Sequence, residues 1–421
     1  MNVYLKFVKR RLYKNYFCKQ FLKTKLKNLS IIIILIVFNK TALSQTWTQI
    51  SDFPATERDD GVSFVIGNKA YCGTGFKTGW ITCRDMYSFD MSSESWGTIS
   101  SLPAGMERQY SSGFSYNNLG FIFGGGSGLS YFNDLWMYDT LTDNWQSKTS
   151  LPGLGRMGSC CFVISDTAYI IGGRTAEANA IDEVWAYAIL ADTWTFKGSL
   201  PFGERWRASA TSYNSKGYII FGKDLANNYR KELYEFDPLA NLWLQIGSFP
   251  ANGRVYSNMQ SIGGDLLVVA GLDSVSNSYK DMWRFNLSSS TWQQLASIPS
   301  IERRGGMSFN NGSALYYTAG IDQVNNRLKE TWKVFYTSTL IENYVSEKFK
   351  TYPNPANDFI DIETDLRNGY FSVFDFSGKL ILREKLVHNK TRIDLSSYSN
   401  GLYFIQLKND EIVLSKKFIK Q

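Results

Sequence analysis

Beyond residue 45 the chain is a succession of short apolar runs separated by Gly, Asp, Asn, Ser and Pro. The stretch from Arg156 to Pro201 shows the pattern. Ser159–Ile164 is apolar, and Ala168–Ile171 is a second run closing in Gly172-Gly173. A polar loop leads to Glu183–Ala188, and a fourth run opens at Trp194 and ends at Leu200-Pro201. Short runs rich in β-branched and aromatic residues, bounded by turn formers, predict strands. No stretch after residue 45 sustains a helical period. The expected class is all-β.

The pattern repeats. Trp47, Trp96, Trp145, Trp194, Trp243 and Trp292 are spaced by 49 residues, and Pro54, Pro103, Pro152, Pro201, Pro250 and Pro299 keep the same step. So do Gly75, Gly124, Gly173, Gly222, Gly271 and Gly320, and the aromatics Tyr87, Trp136, Trp185, Tyr234, Trp283 and Trp332. A constant period of this size means one supersecondary unit copied in an array. Four antiparallel strands per unit make a propeller blade. The repeated glycine allows positive φ or close backbone approach, and the repeated aromatics fill the wedge between blades.

The sixth unit lacks its own fourth-strand tryptophan, because the register position holds Ile341. The first unit is preceded by an unpartnered strand, Trp47–Ile50. The N-terminal strand is therefore expected to complete the sixth blade and close the ring.

These units resemble kelch repeats: an arginine, an apolar strand, a glycine-ended strand, the aromatic pair and a Leu-Pro-like end. GYIIFGK at 217–223 followed by ELYEFDP at 232–238 carries the likeness, which covers residues 47–336. The double glycine of such repeats is complete in register only at Gly172-Gly173; elsewhere Thr74, Phe123, Phe221, Ala270 or Ala319 precedes the glycine.

The two ends differ in composition. Residues 1–44 carry ten Lys and Arg and no acid, with an apolar core at Leu29–Phe38 and small residues at Ala42 and Ser44. This predicts a signal peptide over 1–44, with an extended basic n-region and cleavage before Gln45; the apolar core is too short to span a bilayer. Its removal turns the formal charge of +7 into −3, since 35 basic residues then face 38 acidic ones. Nucleic-acid binding loses its electrostatic support. The expected division is 45–337 for the six-bladed propeller, 338–348 for a linker and 349–421 for a small β-sandwich. Tyr352-Pro353-Asn354-Pro355, the turn at 375–379 and the strand beginning Gly401-Leu402-Tyr403 make this last segment similar to the type IX secretion system C-terminal sorting domain, subfamily A. The resemblance implies export across both membranes, the secretion machinery as partner of residues 349–421, and a secreted or cell-surface protein with no transmembrane span in the mature chain.

Candidate chemistry is sparse. His388 is the sole histidine, so a histidine-based metal site or a Ser-His-Asp triad is excluded from the propeller, and neither a cofactor nor a metal is expected. Cys72 and Cys83 flank one loop and are either bridged or free. Cys160 and Cys161 point to opposite strand faces. An arginine opens each blade: Arg58, Arg108, Arg156, Arg205, Arg254 and Arg303, preceded in four by Glu57, Glu107, Glu204 and Glu302. Ringing one channel mouth with Tyr110, Trp206 and Tyr256 nearby, they would suit an acidic sugar or a peptide carboxylate. Alternatively, Arg and Glu pair structurally because the repeat copies them. The period leaves no room for long insertions, which argues against an elaborate active site. The expected function is a non-catalytic, monomeric binding or adhesion module for an extracellular glycan or protein. Its alternatives are a carbohydrate-active enzyme, such as a kelch-type sugar epimerase or mutarotase, and a structural subunit of a surface layer.

Overall fold

The computed structural model describes residues 46–336, 349–364, 366, 369–376, 378–408 and 413–421; the expected signal peptide and linker lie outside the described residues. Everything described is strand, turn or loop. No helix among the described residues is long and apolar enough to cross a membrane.

Six antiparallel sheets succeed one another along residues 47–335, five of four strands and one, the fifth, enlarged to six by Arg303–Arg304 and Ile321–Asp322. The first is Val62–Ile66, Lys69–Gly73, Met86–Asp90 and Ser95–Thr98. The third, Cys160–Ile164, Thr167–Ile171, Glu183–Ala188 and Thr193–Ser199, follows the sequence expectation closely. The last contains Met307–Asn310, Ala314–Thr318 and Thr331–Phe335, and its fourth strand is Trp47–Ile50, in register Trp47↔Val334 and Gln49↔Trp332. The N-terminal strand thus lies beside Thr331–Phe335 as the outer strand of this sheet.

Burial follows the same ring. Six apolar clusters in this region each draw on two neighbouring sheets. One joins Val269 and Met282 of the fifth sheet to Trp47, Leu315 and Trp332 of the sixth, and another joins Phe309 and Tyr316 of the sixth to Ala70 and Phe89 of the first. The repeated tryptophans also donate hydrogen bonds to the preceding sheet: Trp96 Nε1 to Ser51 O at 2.9 Å, Trp145 to Ser100 O at 2.8 Å, Trp194 to Thr149 O at 2.8 Å and Trp47 to Ala296 O at 2.7 Å. They act as ties between blades as well as filling.

The glycine pattern has a backbone cause. At the end of every second strand two consecutive residues have positive φ: Thr74-Gly75, Gly124-Gly125, Gly172-Gly173, Phe221-Gly222, Ala270-Gly271 and Ala319-Gly320. The second of each pair reaches 83–112°, beyond the left-handed well, where only glycine sits freely. The second sheet is shifted by one residue, so its structural partner of Gly173 is Gly125, not Gly124, and its double glycine is complete.

The cysteines are free. Cys72 pairs across the sheet with Tyr87 and packs with Phe89 and Phe309, whereas Cys83 bridges to Arg108 of the next blade. A Cys72–Cys83 bridge is therefore not formed, because the two residues are committed to different neighbours. Cys160 and Cys161 face opposite sides, one toward the fourth sheet and one toward the second. Burial raises the Cys161 thiol to about 12, which makes it a poor nucleophile.

Residues 349–421 form two further sheets. Phe349–Tyr352, Phe359–Thr364 and Lys390–Asp394 make one; Leu380–Lys385, Tyr370–Asp375, Gly401–Lys408 and Val413–Lys420 make the other. They enclose one core with Ile360, Ile362, Val373, Ile405 and Phe418, a sandwich as expected. Asn354 of the Tyr-Pro-Asn-Pro motif clasps the last strand, donating to Lys417 O at 3.2 Å and accepting from Ile419 N at 3.0 Å.

Candidate functional site

The six arginines expected at a channel mouth are not there. Arg58, Arg108, Arg156, Arg205, Arg254 and Arg303 are all at most 2% exposed. Each lies against an acid at the start of its own blade's third strand. Arg58 Nη2 meets Asp85 at 2.8 Å, Arg108 meets Asp134 at 2.8 Å, Arg156 meets Glu183 at 2.7 Å, Arg254 meets Asp281 at 2.6 Å and Arg303 meets Glu330 at 2.6 Å. Arg205 is the loosest, 4.0 Å from Glu232. Three of them, Arg58, Arg108 and Arg254, also donate to the carbonyl just before the repeated glycine. The backbone carbonyl of the arginine in turn accepts from the glycine of the preceding blade, as in Gly173 N to Arg205 O at 2.8 Å and Gly320 N to Arg58 O at 2.8 Å. The arginine is a staple whose side chain holds one blade and whose backbone holds the next.

The partner acids were missed from sequence although they keep the same step: Asp85, Asp134, Glu183, Glu232, Asp281 and Glu330. The aromatic two residues on donates to each of several: Trp136 Nε1 to Asp134 at 2.7 Å, Trp185 to Glu183 at 2.8 Å, Trp283 to Asp281 at 2.8 Å and Trp332 to Glu330 at 2.9 Å. Burial alone would raise the Asp85, Glu183 and Glu330 carboxyls, but hydrogen bonds and charge from these partners bring them below their ordinary values. The preceding glutamates do not pair with their neighbouring arginines. Glu107 meets Arg84 and Glu302 meets Lys280, both at 3.4 Å, and Glu204 lends its carbonyl to Arg205. Glu57 lines a surface cleft.

The axis is lined by the second residue after each of these arginines: Asp60, Tyr110, Gly158, Arg207, Tyr256 and Gly305. All six have φ between 56° and 67°. Backbone bonds link them round the ring: Tyr110 N to Asp60 O at 3.0 Å, Gly158 N to Tyr110 O at 2.8 Å, Arg207 N to Gly158 O at 2.8 Å, Gly305 N to Tyr256 O at 3.2 Å and Asp60 N to Gly305 O at 2.7 Å. The two glycines make room. A Cβ at Gly158 would sit 2.7 Å from Trp206 Nε1, and one at Gly305 2.7 Å from Asp60 Oδ1.

Into that room goes Arg207. Its guanidinium lies 3.9 Å from the Tyr110 ring and 3.5 Å from the Tyr256 ring, and 4.0 Å from Trp206. Lys223 stands 4.6 Å and Arg174 5.5 Å from the same indole. Three cations thus surround Trp206, and none of the three makes an ion pair with a carboxylate among the described residues. Buried Nε and Nη1 of Arg207, Nε of Arg174 and Nε1 of Trp206 have no hydrogen-bond partner. Burial lowers the pKa of Arg207, and burial with the charges of Arg207 and Arg174 lowers that of Lys223. Opposite them, burial and the neighbouring Asp59 charge hold Asp60 well above the ordinary aspartate value. Tyr110, Trp206 and Tyr256 are the expected aromatics; Arg174, Arg207, Lys223 and Asp60 were not expected.

A family model described as the Attractin/LZTR1 beta-propeller matches residues 70–280, half of the chain. The chain belongs to the Attractin/LZTR1 β-propeller family. A second model, the secretion system C-terminal sorting domain, matches residues 350–421. This Attractin/LZTR1-type propeller therefore carries a type IX sorting tail, and is exported to the cell surface or beyond. No curated protein sequence matches the chain. Among solved structures, the one entitled "Structure of YjhT" is similar with a TM-score of 0.58 at 15% identity, covering 67% of this chain and 96% of its own. At that identity the likeness speaks for the propeller fold alone.

Proposed function

We propose that this exported propeller is a binding module that takes an anionic group of an extracellular glycan or protein at the axis. The observation that carries the reading is the cluster of Arg174, Arg207 and Lys223 around Trp206, with buried N–H donors lacking partners. Burying Arg207 costs desolvation that the charges of Asp60 and Asp59 do not fully offset, and its unpartnered N–H groups add to that cost. A ligand carboxylate would supply the missing acceptors, and Arg offers a planar fork for it. Sorting domain and propeller then divide the labour of address and recognition.

Isothermal titration with glucuronate and N-acetylneuraminate tests this. Saturable binding that weakens with salt and falls at least about tenfold in Arg207→Met supports the reading. Binding unaffected by Arg207→Met would overturn it.

A second reading, a sugar epimerase or mutarotase, draws on Asp60. A carboxyl that burial holds above the ordinary aspartate range, beside Tyr110 and Arg207, is placed for proton transfer. Anomer exchange followed by NMR, present in the native protein and lost in Asp60→Asn, would favour catalysis over binding.

A further inference from the structure

Trp80 is the residue that folding explains least. It occupies the fourth position of a tight turn, Trp80 N donating to Lys77 O at 3.1 Å, with φ of 61°. A turn closed by the same backbone bond recurs in the fourth, fifth and sixth blades, Asn227 N to Asp224 O, Ser276 N to Asp273 O and Asn325 N to Asp322 O. Those blades place Asn227, Ser276 and Asn325 there, with φ of 64°, 65° and 68°. Asparagine tolerates the left-handed region, whereas a bulky side chain is an outlier in it. The first blade carries a tryptophan where its sister blades show what the turn prefers, and that side chain is 69% exposed.

The exposed ring is held firmly from behind. Arg327 stacks 4.8 Å from Trp80 and 5.0 Å from Phe76, and Phe76 meets Trp80 edge-on at 5.5 Å. Arg327 is itself fixed by Asp59 at 2.6 Å. Arg327 has no copy either; its register positions hold Thr82, Tyr131, Ala180, Tyr229 and Ser278. The two unrepeated residues meet where the first and sixth blades adjoin, at a cleft of ≈ 340 Å³ walled by Glu57, Thr78, Trp80, Asn325 and Asn326. The framework orients both amides. Asn325 Oδ1 accepts from Arg304 at 2.8 Å, leaving its NH₂ as donor, and Asn326 Nδ2 donates to Asp322 at 3.1 Å, leaving its oxygen as acceptor.

From this arrangement we infer that the cleft is a carbohydrate subsite for a neutral pyranose, stacked on Trp80 and hydrogen-bonded by Asn325, Asn326 and Glu57. An immobilised aromatic face offers apolar area to the C–H side of a sugar ring with little ordering cost. A donor–acceptor pair matches vicinal hydroxyls. Charge selects against an acidic sugar, since the one cation is neutralised by Asp59 and Glu57 adds a negative group. The strain at Trp80 is then retained for recognition. This inference is independent of the axial cluster.

Saturation-transfer NMR of the full exported chain with cellohexaose, laminarihexaose and mannohexaose tests it. The expected result is saturation of sugar ring protons by at least one probe, at least about tenfold weaker binding in Trp80→Asn, and no change in Arg207→Met. Trp80→Asn should not lower the melting temperature, because asparagine suits the turn, so a loss of binding cannot be ascribed to unfolding. Three results would overturn the inference: no binding of any probe at millimolar concentration, binding that survives Trp80→Asn, or a shift from dimer to monomer in Trp80→Asn by sedimentation, which would make the patch a contact between copies.

Discussion

Arg254 and Arg207 sit in the same blade region and are both buried, yet they stand for opposite uses of a cation. Arg254 is copied round the ring, meets Asp281 at 2.6 and 2.7 Å through two nitrogens, and donates to the Ala270 carbonyl. Arg207 has no copy and lies between two tyrosines with two nitrogens unpartnered, where Arg254 has one. The repeated arginine completes the architecture; the unrepeated one leaves something for another molecule to complete. Within a repeat protein, the period itself separates what folding needs from what recognition needs.

Making the same substitution at both positions gives the sharpest test. Arg254→Met strands the carboxylate of Asp281, which is only 14% exposed, and should cost about 3 kcal/mol in urea unfolding. Arg207→Met removes a charge whose burial outweighs the attraction of nearby Asp60 and Asp59 and keeps the volume, so stability should stay within about 1 kcal/mol of the native value or rise. If both variants lose stability equally, the distinction fails.

Acid should weaken the clamps, together with other carboxylates held below their ordinary values such as Asp192, Asp237 and Asp361. Asp85, Glu183 and Glu330 have folded pKa values below their ordinary ones. Their stabilisation is present above the ordinary carboxylate range and is lost as pH falls through the folded values. The urea midpoint should therefore drop on acidification below about pH 4, and Glu183→Gln should flatten that slope. Asp60 has the opposite sign. Its raised value means stability that is full in acid and lost as pH rises through the folded pKa. Asp60→Asn should therefore remove that loss of stability with rising pH from the urea-unfolding profile. The smallest effect is expected at the cysteines: dithiothreitol should leave the unfolding midpoint unchanged, and thiol titration of the denatured, unreduced protein should find Cys72 and Cys83 both free.

What the sequence made legible was whatever the period copies at constant chemistry. The tryptophans, the glycines and the absent aromatic at Ile341 predict the strands and the pairing of Trp47–Ile50. The clamp acids were equally periodic but mix Asp and Glu, and nothing local marks an acid as the partner of an arginine 27 positions earlier. Gly125 was hidden by a one-residue shift that its backbone bond to Arg156 O, at 2.9 Å, and its φ of 88° expose. The axial cluster was out of reach for a different reason. Tyr110, Arg207 and Tyr256 come from three sheets, and curvature alone brings them together. Even Trp80 could have been noticed as the odd residue at its register position, but its meaning rests on a positive φ that sequence does not print.

The pairing of Trp47–Ile50 with Thr331–Phe335 joins the earliest strand of the domain to its latest. Such a clasp cannot fasten until Thr331–Phe335 is available to pair. Until Thr331–Phe335 has emerged, the first blade has no sixth to lean on and the sixth lacks its outer strand. The ring is therefore completed late, because its first and last strands share one sheet and neither can finish it without the other.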